Sequence, residues 1–190
     1  MTETTTGTAL DVQTLTGDYT LDTAHTRLGF VARHAMVTKV RGAFTEFEGS
    51  ARLDFQDPTK STATITLQVA SIATGQNQRD EHLRTNDFFD APTFPQITFT
   101  STKAEKVSED TYRLTGDLTI KDVTKPVEID FEFTGAAKDP YGNIRAGFDG
   151  KTVIKRSDWG ISYNAALETG GVLVSDKITL EFDVSAIKNA

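Results

Sequence analysis

Three histidines, His25, His34 and His82, are the residues whose ordinary pKa would let them move protons near neutral pH. Their spacing does not build a metal site. His25 and His34 are separated by an odd number of positions, so on one continuous strand they point to opposite faces. His82 has Asp80 and Glu81 beside it, a spacing that does not place ligands on one face of a helix. No serine sits in a G-x-S-x-G elbow, and Gly147 and Gly150 do not form a phosphate loop. Cysteine is absent, which removes thiolate nucleophiles, thiolate metal sites and disulfides. The expectation is therefore no catalytic residue, no metal and no cofactor. His25 and His82 read as members of buried hydrogen-bonded networks. His34 shares strand parity with Leu28 and Phe30, which predicts the inner face, where it could meet a polar ligand group or fill core space. Arg79 and Asp80 could pair with each other or tie a helix to the rest of the fold. Arg156, with Lys155, could hold a diphosphate, since a guanidinium makes bidentate contacts to phosphate. A solvated charge at a strand end is the simpler reading of the same pair.

The elements that must position these groups repeat with period two. Ala63 to Val69, Val127 to Phe133 and Ile178 to Val184 alternate apolar and polar residues, with shorter examples at Ile97 to Thr100 and Leu118 to Ile120. Such alternation predicts antiparallel strands with one dry and one wet face. Asp139-Pro-Tyr-Gly142 fits a type I turn, Asp57-Pro58 starts another, and Ser108 to Asp110 suggests a hairpin. Pro126 cannot donate to a ladder, so it should open its strand or lie at an edge. Between Asn77 and Thr85 the pattern breaks, and a short helix capped by Asn77 is expected. Ser157 to Asn164 reads as a loop with a turn of helix.

Among 190 residues, Asp and Glu outnumber Lys and Arg by 27 to 20, for a net charge of −7. That balance argues against nucleic acid as a partner. Residues 1–16 are rich in Thr, with neither a basic residue nor an apolar run, and read as a flexible extension rather than a signal peptide or membrane anchor. The expected location is the cytoplasm, with no transmembrane segment. Residues 17–190 read as one domain. Its strands could close into a barrel or pack as a sandwich, and only a barrel of about eight strands leaves room for a small ligand. Small residues at Gly29, Ala32, Ala43 and Ala63 lean towards room inside.

The ordered motifs resemble the YceI-like, polyisoprenoid-binding family. The resemblance rests on Tyr19 to His34, Gly42 to Gly49, Arg79 to Leu83 with Asp87-Phe-Phe89 and Phe94-Pro95, Gly116 to Val127, and Arg156 to Gly160. Trp159 stands where that family often has Phe. The resemblance implies an all-β fold, an extended antiparallel lipocalin-like barrel with a short helix, enclosing an apolar tunnel for a polyprenyl chain. It makes Phe30, Phe44, Phe88, Phe89, Phe99, Leu118 and Trp159 candidate lining residues, each of which could equally be ordinary core. His34 and Arg156 become candidates for the polar head group.

The expected function is non-catalytic binding of a long-chain isoprenoid lipid, a polyprenyl phosphate or isoprenoid quinone, as carrier or store. Burying each CH₂ gains roughly 0.8 kcal/mol, so the tail alone could bind tightly. An enzyme acting on such a lipid through His34, His82 and Asp80, and a ligand-free interaction protein, are the alternatives. Exposed strand ends are compatible with a homodimer.

Overall fold

Apolar–polar alternation becomes β-strand wherever it runs for more than a few residues. The computed structural model describes residues 10–190. It contains α1 (Val12–Leu15), β1 (Gly17–Leu21), β2 (Arg27–His34), β3 (Thr38–Phe44), β4 (Phe47–Leu53), β5 (Thr62–Gln68) and β6 (Ile72–Ala73). These are followed by α2 (Asn77–Leu83), β7 (Gln96–Lys106), β8 (Thr111–Ile120), β9 (Val123–Lys138), β10 (Ile144–Lys155) and β11 (Lys177–Lys188).

Eight strands close a ring in the order β1-β4-β5-β7-β8-β9-β10-β11, and β11 pairs back onto β1. All pairings are antiparallel, so this is a closed eight-stranded antiparallel barrel. β11 pairs with β10 along its whole length, from Lys155↔Lys177 to Arg145↔Ile187. Its other edge is shared: Ala186 to Lys188 pair with β1, and Thr179 to Asp183 pair with β2. The remaining strands, β2, β3 and β6, form a flap that continues from β11 at one end of the barrel. Helix α2 follows the flap's last strand. Ladder shifts at Ser101/Lys103 and at Gly147/Phe148 let the long strands β7, β9 and β10 coil around the ring.

The local chemistry is largely as the sequence implies. Gly142 N–H bonds Asp139 O at 3.0 Å, closing the Asp139-Pro-Tyr-Gly142 turn. Arg156–Trp159 is one turn of 3-10 helix, ended by Gly160 at φ +77. Two details differ, at the N-cap of α2 and in the extension before Gly17, whereas Pro126 lies at an edge as expected. The N-cap of α2 is Gln76, and Asn77 is its first helical residue. Pro126 lies inside β9, opposite Asp117 of β8. The β10 ladder on its other side extends only to Asp130, so at Pro126 the strand has a neighbour on one side and needs no second donor. Thr2 to Gly7 of the expected extension lie outside the described residues, as do the residues up to Ala9. The rest of that extension is ordered: Asp11 caps α1, and Leu15 is buried and accepts a hydrogen bond from Tyr19 Oη at 2.6 Å.

Candidate functional site

Alternate residues of the barrel strands face inward, but they do not fill the interior. They enclose a cavity of about 310 Å³. Its wall is almost wholly apolar. It follows β8 from Tyr112 to Ile120, a path of roughly 26 Å along the strand and about 20 Å along the barrel axis once strand tilt is allowed for. The size and apolar lining suit a small-molecule or lipid-tail site, for which cavities of about 300–1,000 Å³ are usual.

Glycines at inward positions explain why large rings leave space. Gly150 of β10 lies directly opposite Phe131 of β9, and Gly42 of β3 directly opposite Phe30 of β2. Gly116 of β8 is a diagonal neighbour of Phe99 on β7. At each glycine, a Cβ would come closer than 3.0 Å to the phenyl ring. The three rings therefore rest on bare backbone against the wall instead of reaching across the lumen.

At the flap end of the barrel the wall contains one charge. Arg156 is only 7% exposed, and its guanidinium donates to the carbonyls of Ser175 (2.9 Å), Ile161 (2.9 Å) and Val174 (3.3 Å). Burial lowers its pKa from the usual guanidinium value, an effect that nearby Asp176 opposes. Asp176 itself is bonded to Ser157 through both the amide and the hydroxyl, and its pKa is held down chiefly by that hydroxyl. The barrel thus presents an apolar tunnel with a buried cation near one end.

Residues 19–186 match the family model described as YceI-like domain. The chain belongs to the YceI-like family. A UPF0312 protein of Staphylococcus aureus strain MSSA476 is 39% identical over 165 residues, 86% of this chain and 94% of that one. Another from Photorhabdus laumondii is 39% identical over 147 residues, 76% of each. Among solved structures, a Campylobacter jejuni YCEI protein superposes with TM-score 0.73 at 32% identity, over 83% of this chain and 90% of that chain. Burkholderia cenocepacia BcnA gives 0.76 at 26% identity, over 87% and 98%. A polyisoprenoid binding domain from Saccharophagus degradans shares the fold at TM-score 0.69 and 16% identity, over 90% and 98%.

Within this YceI-like barrel, Phe30, Phe44, Phe88, Phe89, Phe99 and Leu118 all reach the cavity. Trp159 does not. It is buried behind the wall, where its indole N–H donates to Leu118 O at 3.0 Å. His34 also departs from expectation. It keeps the inward parity of Phe30, but β2 has passed the end of the lumen by that residue, so His34 is exposed and bridges through its backbone to Val174. Arg156 lines the cavity and is not the solvated strand-end charge of the simpler reading. Lys155 beside it is exposed. Of the small residues, Ala32, Ala63 and Gly29 lie along the cavity, whereas Ala43 is buried elsewhere.

The other two histidines are not in buried networks. His25 has an exposed side chain bonded to Asp22 at 2.7 Å. His82 is half-exposed, bonded to Asp87 at 2.8 Å and edge-on to Phe88 and Tyr163. The buried polar side chain of α2 is Asp80, which accepts from Thr74 N–H at 2.9 Å and from its hydroxyl at 2.5 Å. Arg79 donates to the same hydroxyl and to Thr74 O, each at 2.7 Å. Both residues bind the helix to the end of β6 and not to each other. Among the described residues, no group of three or more His, Asp or Glu is placed to hold a metal, and no helix is long and apolar enough to cross a membrane.

Phe131, Phe182 and Ile154 line the cavity without having been singled out. The first two sit at apolar positions of the Val127 to Phe133 and Ile178 to Val184 alternations, so strand parity alone would have found them.

Proposed function

We propose that this chain binds a long-chain isoprenoid lipid, a polyprenyl phosphate or an isoprenoid quinone, and acts on it by holding it rather than by covalent chemistry. The tail occupies the barrel lumen, and the head group lies towards Arg156. The chain then serves as a carrier or store. The observation that carries this reading is the lumen itself: about 310 Å³ of apolar space kept open by rings resting on glycines. A barrel meant only to be stable would fill that volume, because empty apolar space forfeits packing. The fold-level likeness to the Saccharophagus degradans polyisoprenoid binding domain points the same way. At roughly 0.8 kcal/mol per buried CH₂, a tail of several prenyl units supplies ample affinity from the lumen alone. The buried guanidinium favours an acidic or hydrogen-bond-accepting head over an apolar one.

The test is organic extraction of the protein purified from the organism that makes it, followed by mass spectrometry. A co-purifying isoprenoid in near-equal molar amount supports the reading. Protein that yields no lipid, or only straight-chain fatty acids, overturns it.

A further inference from the structure

The β2–β3 hairpin carries features that folding alone does not favour. In the three-residue connection Ala35-Met36-Val37, between the paired His34 and Thr38, Ala35 and Met36 have φ +49 and +63, in the left-handed region that glycine or asparagine usually occupies. The side chains held there are apolar and in water: Met36 is 62% and Val37 76% exposed. The segment 165–174 runs alongside. Ala35 N–H bonds Leu173 O at 2.7 Å, His34 bridges Val174, Met36 lies against Gly171, and Val172 is 40% exposed. Three of the seven exposed large apolar side chains among the described residues therefore lie on one prominence. Singly scattered apolar residues need no explanation, whereas a cluster at a protruding tip does.

The charges around the tip point to what covers it. From Arg27 to Thr45 there are four cations, Arg27, Arg33, Lys39 and Arg41, and no acid, in a chain with a net charge of −7. Arg33 and Lys39 are exposed and directly opposite each other across the hairpin, an unfavourable like-charge pair. Arg41 reaches Glu181 at 3.4 Å, but among the described residues Arg33 and Lys39 have no carboxylate partner. Glu168 is the one acid on the adjoining segment. An apolar tip ringed by unpaired cations is the pattern of shallow insertion into an anionic lipid surface.

We propose that Met36, Val37 and Val172, with Arg33 and Lys39 behind them, form a docking surface for an anionic bilayer. Ala32 and Val174 line the cavity and lie on the same two segments, and Val174 O binds Arg156. Docking therefore sets the Arg156 end of the lumen against the lipid surface. The docking does not depend on which lipid the lumen holds, so it can fail while the isoprenoid reading stands, or stand while that reading fails.

Vesicle co-sedimentation tests it, with pure phosphatidylcholine vesicles compared with vesicles of mixed phosphatidylcholine and phosphatidylglycerol. The wild-type chain should bind the mixed vesicles at least about tenfold more tightly, with the preference shrinking as salt rises. Met36→Asn with Val37→Thr should abolish that binding. Asparagine suits the left-handed turn, so this variant should melt no lower than wild type, and loss of binding will not reflect unfolding. Arg33→Glu with Lys39→Glu should remove the preference for phosphatidylglycerol. Tyr141→Ser, which removes an 89% exposed ring at the opposite end of the barrel, should change nothing. A wild-type chain that ignores both vesicle types overturns the proposal. So does a Met36→Asn, Val37→Thr variant that binds undiminished, or a tip variant that loses only self-association.

Discussion

Phe131 of β9 and Gly150 of β10 face each other across the ladder, and a Cβ on Gly150 would lie 2.5 Å from a carbon of the Phe131 ring. The ring occupies the place of the missing side chain. The same relation holds for Phe30 with Gly42 and Phe99 with Gly116. In each case, one large and one absent side chain share a single patch of wall, and the lumen stays free.

Gly150→Ala should therefore push the Phe131 ring into the lumen. Overpacking of this kind costs about 1–3 kcal/mol of stability. Affinity for a long apolar ligand, measured by displacement of an environment-sensitive fluorophore, should fall about tenfold. Adding Phe131→Leu should restore most of it, because the smaller side chain leaves room for the new methyl. Two additive losses with no recovery would show that the pair does not shape the lumen.

This relationship also marks where the sequence stops being legible. The period-two runs at Val127 to Phe133 and Ile178 to Val184 are strands, and the helix at Asn77 is there. What a run of residues cannot display is its partner across the ladder. Gly150 looks like a phosphate-loop glycine that fails its motif, until register places Phe131 opposite it. His34 failed for a related reason: parity gives the side of a strand but not how far along it the lumen extends. For Arg156 the sequence leaves a head-group contact and a solvated strand end both open, because its acceptors are carbonyls of a loop up to 19 residues away, and carbonyls carry no sequence signature.

Removing the guanidinium of Arg156 should unfasten that loop. Arg156→Met keeps much of the volume but strands the carbonyls of Ile161 and Ser175, while Val174 O keeps the Asn164 side-chain amide, at a cost of about 2–4 kcal/mol. Arg156→Lys keeps the charge without the fork and should cost less. Binding offers a second readout. The preference for a polyprenyl phosphate over the matching neutral alcohol should drop in Arg156→Met and survive in part in Arg156→Lys. An unchanged preference in Arg156→Met would leave the residue with a purely structural role.

Trp159→Phe separates ring from hydrogen bond. Both side chains fill the space behind the wall, but only indole can donate to Leu118 O, and that carbonyl is buried with it. Leu118 also pairs with Lys125 in the β8–β9 ladder, so the substitution removes one added hydrogen bond, worth about 0.5–1.5 kcal/mol. Chemical denaturation followed by circular dichroism should show a lower midpoint with an unchanged slope. An unchanged midpoint would mean that the indole hydrogen bond adds nothing to the ladder bond of Leu118.

At the end of the barrel away from Arg156, Arg145 holds two carboxylates at once: Asp22, in the turn between β1 and β2, and Asp139, at 2.8 Å, in the turn between β9 and β10. Burial alone would raise the pKa of Asp22. Hydrogen bonds from His25, Arg145 and the Ala24 amide outweigh it and hold the carboxyl below its ordinary value. Asp139 is likewise pushed up by burial and brought down further by the Asn143 amide, Arg145 and the Tyr141 amide. Both acids thus bind protons less readily in the folded chain than in the unfolded one, where they titrate near pH 4. Their contribution to stability is complete above about pH 4 and is lost as pH falls through the depressed folded values. Arg145→Met removes the cation and leaves two acids close to its former position. The melting temperature should therefore drop most at neutral pH, and the gap to wild type should close as both proteins are taken below about pH 4. A gap that stays constant or widens in acid would assign the role of Arg145 to packing rather than to charge.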